Sequence, residues 1–112
     1  MKLIESQIKK NQLKEMSERF SGGLVKAVVD VKREIMVIDA SMHADEEKEL
    51  LERGSQQDDL WGINLYPEFD GEDFIEYDSM INIRPRLNNL SRNVEDENLR
   101  AKIRFIVDKL VL

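Results

Sequence analysis

Two short stretches constrain the fold more than anything else in the chain: G-I-N-L-Y-P at 62–67 and M-I-N-I-R-P at 80–85. Each sets one asparagine between two aliphatic residues, and each stops at proline. Successive side chains of an extended strand point to opposite faces, so each copy offers its aliphatic pair to a core and its asparagine to the other side. Proline lacks the amide that a β-ladder uses and belongs at a strand end. The pattern predicts two neighbouring strands of one sheet, at about 60–66 and about 74–84. Trp61, Ile63 and Leu65 of the first face the core, as do Ile75, Tyr77, Ile81 and Ile83 of the second, with Trp61 as an anchor. One register sets Asn64 opposite Asn82; a shorter turn near Asp70–Gly71 would shift it.

The rest of the chain supplies helices and a hairpin. Residues 2–8 open extended, and Asn11 caps a helix through about Phe20, with Leu13, Met16 and Phe20 on one stripe and S-G-G at 21–23 as its stop. L-V-K-A-V-V-D-V-K alternates, with Val25, Ala27, Val29 and Val31 on one face, and K-R-E turns it into I-M-V-I-D at 35–39. A second helix spans 44–53, with Asp45, Glu46 and Glu47 at its positive end and Gly54 as its stop. Asn93 caps the last helix, where Leu99, Ile103, Ile106, Val107 and Leu110 make the cleanest amphipathic stripe. The order β-α-β-β-α-β-β-α predicts one domain over 1–112, of α+β class. Its sheet has four to five mostly antiparallel strands, with about three helices packed on one face.

Composition removes several function classes. With 112 residues and no cysteine, disulfides, zinc–thiolate sites, iron–sulfur clusters and thiol catalysis are excluded. A net charge of −6 disfavours nucleic-acid binding, which rests on cations neutralising phosphates. Mean hydropathy is −0.50 and no apolar run approaches the roughly 20 residues of a membrane span. The opening M-K-L-I-E-S is too short in apolar residues for a secretion signal, so a soluble, cytoplasmic protein is expected.

Asparagine is a poor strand former, because its amide competes for backbone groups; two of them at matched places therefore mark the non-core face. That face gathers Asn64, Tyr66, Glu76, Asp78, Asn82 and Arg84, and the loop after it adds Arg86 and Arg92 before a helix N-terminus. Guanidinium forks beside free amides suit a phosphate or carboxylate, although Glu95 and Asp96 compete for the same place. Glu76 and Asp78, two residues apart, are the candidate acid/base pair, a role that calls for one raised pKa. His43 and Glu47 stand one helical turn apart, but two ligands do not complete a metal site; no metal and no cofactor is expected. The first functional expectation is a non-enzymatic interaction or self-assembly module, a homodimer or a partner's binder, using the open face or an exposed edge strand. The alternative is a small polar-ligand or anion binder, or a hydrolase, on those same residues.

Several stretches carry a resemblance: V-K-A-V-V-D-V at 25–31, H-A-D-E-E at 43–47, D-L-W-G-I-N-L-Y-P at 59–67, D-S-M-I-N-I-R-P at 78–85 and S-R-N-V-E-D at 91–96. Together they resemble a small family of uncharacterised prokaryotic proteins, classed as a domain of unknown function. The likeness covers most of the chain and implies no activity, cofactor or catalytic residue. Where that family has S-Q-G-N-R-S-R, this chain has R-L-N-N-L-S-R at 86–92, inside the arginine loop.

Overall fold

The computed structural model describes residues 1–19 and 22–112. Its elements are β1 (Lys2–Ile4), α1 (Lys10–Ser17), β2 (Val25–Asp30), β3 (Ile35–Ile38), α2 (His43–Glu52), β4 (Leu60–Leu65), β5 (Ile75–Glu76) and α3 (Glu97–Leu110). Short 3-10 turns occupy Gln57–Asp59, Gly71–Asp73, Met80–Asn82 and Pro85–Leu87. The strands form one five-stranded antiparallel sheet in the order β1-β3-β2-β4-β5, the expected α+β class.

The helices occupy both faces. Val25, Ala27 and Val29 of β2 join Met36, Ile38, Trp61, Ile63 and Leu65 on one face, covered by Leu13 and Met16 of α1 and by Ile103, Ile106, Val107 and Leu110 of α3. Val28, Ile35, Val37 and Leu60 point the other way and pack with Leu50 of α2. The single helical layer read from the sequence thus becomes two. The reason lies in β3, where I-M-V-I is an unbroken apolar run: a strand buried on both faces does not alternate. Each buried aliphatic side chain of α3 contributes about 1.5–3 kcal/mol, which holds this helix as the main lid of the larger core.

Local signals differ from expectation at three helix ends. α1 begins at Lys10, not after Asn11, because Gln12 reaches back to accept the Lys9 amide at 3.1 Å. The helix ends at Ser17, with Glu18 as its C-cap, short of the expected Phe20; Phe20 itself and the stop at Ser21 lie outside the described residues. α3 is capped by Asp96, whose carboxylate accepts the Asn98 and Leu99 amides at 2.8 and 3.3 Å, while the Asn93 side chain accepts only the next amide, Val94. The β2–β3 hairpin has no Asn-Gly because Asp30 makes its turn, one carboxylate oxygen accepting both the Lys32 and Arg33 amides.

The second copy of the repeated phrase is not a strand. β5 pairs with β4 only at Asn64↔Glu76 and Leu65↔Ile75, and Met80–Asn82 then coils into a 3-10 turn capped by the Ser79 hydroxyl. Asn64 therefore does not face Asn82, and Ile83 is 40% exposed instead of buried. Chain direction explains the change: the turn lays the side chain of Asn82, not its backbone, along the edge of β4. Its Oδ1 accepts the Gly62 amide at 2.8 Å and its Nδ2 donates to the Gly62 carbonyl at 2.9 Å. One amide side chain thus satisfies Gly62 as a neighbouring strand would. Glycine is needed at that point, since a Cβ on Gly62 would lie 2.5 Å from the Ser79 Cβ.

Candidate functional site

The eight residues singled out from the sequence fall into two groups and one outlier. Asn64, Tyr66, Glu76, Asp78 and Arg92 form one polar cluster at the β4–β5 end of the sheet. Asn64 Nδ2 donates to Glu76 Oε1 at 2.8 Å and to the Asp78 carbonyl at 3.3 Å, and the Tyr66 hydroxyl donates to the same Glu76 oxygen at 3.1 Å. Arg92 Nε meets Asp78 Oδ1 at 2.5 Å. Burial, then the bond to Glu76, raises the Tyr66 hydroxyl pKa; the Asp78 carboxylate raises that of Arg92. Both acceptors of Asn64 Nδ2 are oxygens, which fixes the amide's orientation and leaves its Oδ1 buried without a partner.

Asn82 and Arg84 belong instead to the other end of β4. Arg84 is buried, with Nη1 donating to the Leu60 carbonyl at 2.6 Å, Nη2 to Glu47 Oε2 at 2.9 Å, and its guanidinium 5.0 Å from the Trp61 ring centre. Burial lowers its pKa and the Glu47 carboxylate opposes that shift. Leu60, Gly62 and Asn64 thus have their outward backbone or side-chain groups met by Arg84, Asn82 and β5 in turn, so the edge of β4 is closed. Arg86 is the outlier, on the surface with Asp58.

The arginine loop is filled from within. All three of its guanidiniums hold carboxylates: Arg84 with Glu47, Arg86 with Asp58 and Arg92 with Asp78. Glu95 takes the place an anion would occupy, accepting the Leu90 amide at 2.9 Å and the Ser91 hydroxyl at 2.7 Å, and these bonds lower its pKa. The loop winds around buried Asn89, whose Nδ2 donates to the carbonyls of Asn82, Ser91 and Asn93.

Beside these groups, α2 presents two buried ionisable side chains to the sheet. His43 Nε2 lies 2.7 Å from the Ile63 carbonyl, and since a carbonyl only accepts, Nε2 carries the proton. Burial lowers its pKa and favours the neutral ring. Its partner in the H-x-x-x-E spacing, Glu47, is turned to Arg84, so the two do not converge. Among the described residues no three His, Asp or Glu side chains group to hold a metal ion. Glu46 is fully buried, with Oε2 accepting the Ala40 amide at 3.1 Å and Oε1 unpartnered. Burial pushes its pKa up to about 9.

Sequence reasoning missed Gly62, Ser79, Asn89 and Glu46. Of these, Gly62 gave a signal: a glycine inside a strand marks close approach of another segment. Glu46 gave none, because three acids in a helix's first turn read as solvated dipole partners.

An antiparallel sheet between two helical layers, with its candidate polar residues bonded chiefly to one another, defines an α+β protein. The chain matches the model of the family described as a protein of unknown function (DUF5674) over residues 2–110, and it belongs to that family. Comparison with curated proteins and with solved structures gives no match. No helix of the described residues is long and apolar enough to cross a membrane.

Proposed function

We propose that the protein works as a non-enzymatic interaction module that self-associates through the segment at 80–90. The observation that carries this is the exposure of Met80 (65%), Ile83 (40%) and Leu90 (68%) on a segment whose neighbours Ser79, Asn82, Arg84 and Asn89 are buried and bonded. Apolar side chains held outward on a pinned turn lose little conformational entropy on contact, which favours recognition. Met80 and Ile83 also line a cleft of about 390 Å³ with Arg84 and Pro85. The polar groups that would serve a reaction are instead engaged with each other, Glu76 with Asn64 and Tyr66 and Asp78 with Arg92. The edge route to assembly is narrowed to the three residues of β1 and the two of β5, the outer strands of the sheet.

Light scattering across a concentration series tests the reading. Wild type is expected as a dimer that Met80→Glu together with Ile83→Glu returns to monomer without loss of folded signal. A wild-type monomer at all concentrations sinks it. One observation favours a second reading, a polar ligand on the sheet face: the unpartnered Asn64 Oδ1 would accept a donor from it. A thermal-shift screen of polar compounds, nucleotides and divalent metals tests this, because a ligand of the folded state raises Tm; a shift that survives Asn64→Ala would place the ligand elsewhere.

A further inference from the structure

A cavity lies apart from the exposed segment at 80–90, between α3 and the chain that carries β5. It measures about 550 Å³, within the range of small-molecule sites. Its floor is apolar, from Ile75, Tyr77 and Ala101, and Arg100 and Arg104 stand above it one helical turn apart. Each guanidinium is oriented by a backbone carbonyl, and Arg104 Nε also donates to Asp108 Oδ2 at 3.3 Å. Arg100 Nη1 donates to the Val94 carbonyl at 2.9 Å, and Arg104 Nη1 to the Gly71 carbonyl at 2.6 Å. A neutral carbonyl fixes a guanidinium's place without cancelling its charge.

The carboxylates nearby compensate weakly. Glu97 stands 3.9 Å from Arg100 and is 90% exposed; Asp108 stands 3.2 Å from Arg104 and is 57% exposed. Exposed pairs of this kind contribute little. Two oriented cations, paired only with exposed carboxylates, stand over an apolar floor and make an amphiphilic site, charged on one wall and oily beneath. Glu72 lines the opposite rim and repels a second negative charge.

We propose that this groove binds a small organic carboxylate with a flat apolar body: the carboxylate between Arg100 and Arg104, the body over Tyr77 and Ala101. A monoanion satisfies both arginines without meeting Glu72, whereas a phosphate dianion does not. The test is amide NMR of the whole chain titrated with benzoate, phenyl phosphate and inorganic phosphate at equal ionic strength. Benzoate is expected to shift Tyr77, Ala101, Arg100 and Arg104 saturably, ahead of both phosphates. Arg100→Gln and Arg104→Gln, which keep a donor for the backbone carbonyls, should each weaken benzoate about tenfold, the scale of a lost bond to a charged group. Ala101→Leu fills the floor from the helix surface and should abolish binding with both arginines intact. The proposal is overturned if the benzoate shifts fail to saturate, if inorganic phosphate matches benzoate, or if a folded Ala101→Leu protein binds as wild type does.

Discussion

Asn82→Ala isolates what the second copy of the repeated phrase does. The substitution deletes bonds to the Gly62 amide (2.8 Å), the Gly62 carbonyl (2.9 Å) and the Arg92 carbonyl (2.9 Å) at a residue with no exposed surface. Gly62 is itself buried, so its amide and carbonyl lose their partners where water does not replace them. Each buried backbone group left unpaired costs about 1–3 kcal/mol, and the pair therefore costs about 4 kcal/mol. Against the 5–15 kcal/mol typical of domains, that is a large share. Urea unfolding followed by Trp61 fluorescence reads it directly, because Trp61 neighbours Gly62 in β4 and is the chain's one tryptophan. With a slope of about 2 kcal/mol per molar urea, the midpoint should fall by about 2 M. Asn64→Ala is the matched control. Its amide meets the exposed Glu76, which water can serve instead, and its own Oδ1 is already unpaired, so the cost should stay below about 1 kcal/mol. Equal losses at the two asparagines would refute the claim that only Asn82 substitutes for a strand.

Two further substitutions probe the same architecture. Gly62→Ala places a Cβ 2.5 Å from Ser79 Cβ and 2.6 Å from its Oγ; displacing the turn should cost about 1–3 kcal/mol and speed hydrogen exchange at Ile81 and Asn82, and unchanged exchange would count against the close approach. Glu46→Gln tests the buried acid by pH: between its ordinary 4.5 and its folded value of about 9 the unfolded chain gives up the proton and the folded chain keeps it. Wild-type stability thus falls as pH rises, by about 1.4 kcal/mol per unit, and the wild-type disadvantage relative to Glu46→Gln should grow by about 4 kcal/mol between pH 5 and 8 in denaturant titrations, whereas parallel curves would deny the burial effect.

The parts of the fold set by local pattern were legible. The stripe Leu99, Ile103, Ile106, Val107 and Leu110 places α3 on the core because helical periodicity and burial coincide there. The alternation of Val25, Ala27 and Val29 does the same for one face of β2, and Leu13 and Met16 for α1. What the pattern lacked was the second layer. Val28 reads as the outward half of an alternating strand, yet Leu50 of α2 covers it together with Val37, and only the unbroken I-M-V-I of β3 betrays two apolar sides.

The repeated phrase misled for a physical reason that a linear pattern does not contain. I-N-[LI]-x-P states that aliphatic and amide side chains alternate; it does not state whether the amide serves its own strand's surface or another strand's backbone. In β4 the backbone extends and Asn64 lies on the surface of the sheet. In Met80–Asn82 the Ser79 hydroxyl accepts the Ile81 amide and closes a turn, which turns Asn82 inward and Met80 and Ile83 outward. Folding then inverts the role of one member of the aliphatic pair: Ile81 still packs against the smaller core, whereas Ile83, which would line a core in a strand, becomes surface. The same inversion explains why the eight candidate residues did not assemble as one site. Asn82 and Arg84 are consumed in finishing the edge of β4, a structural task that removes an adhesive strand edge, and the charge they would have offered a ligand is met by Glu47. Arg100 makes the contrast with the three arginines that the sequence made conspicuous: its fixed partner is the neutral Val94 carbonyl and Glu97 stands 3.9 Å away, while Arg104 divides its guanidinium between the Gly71 carbonyl and the exposed Asp108.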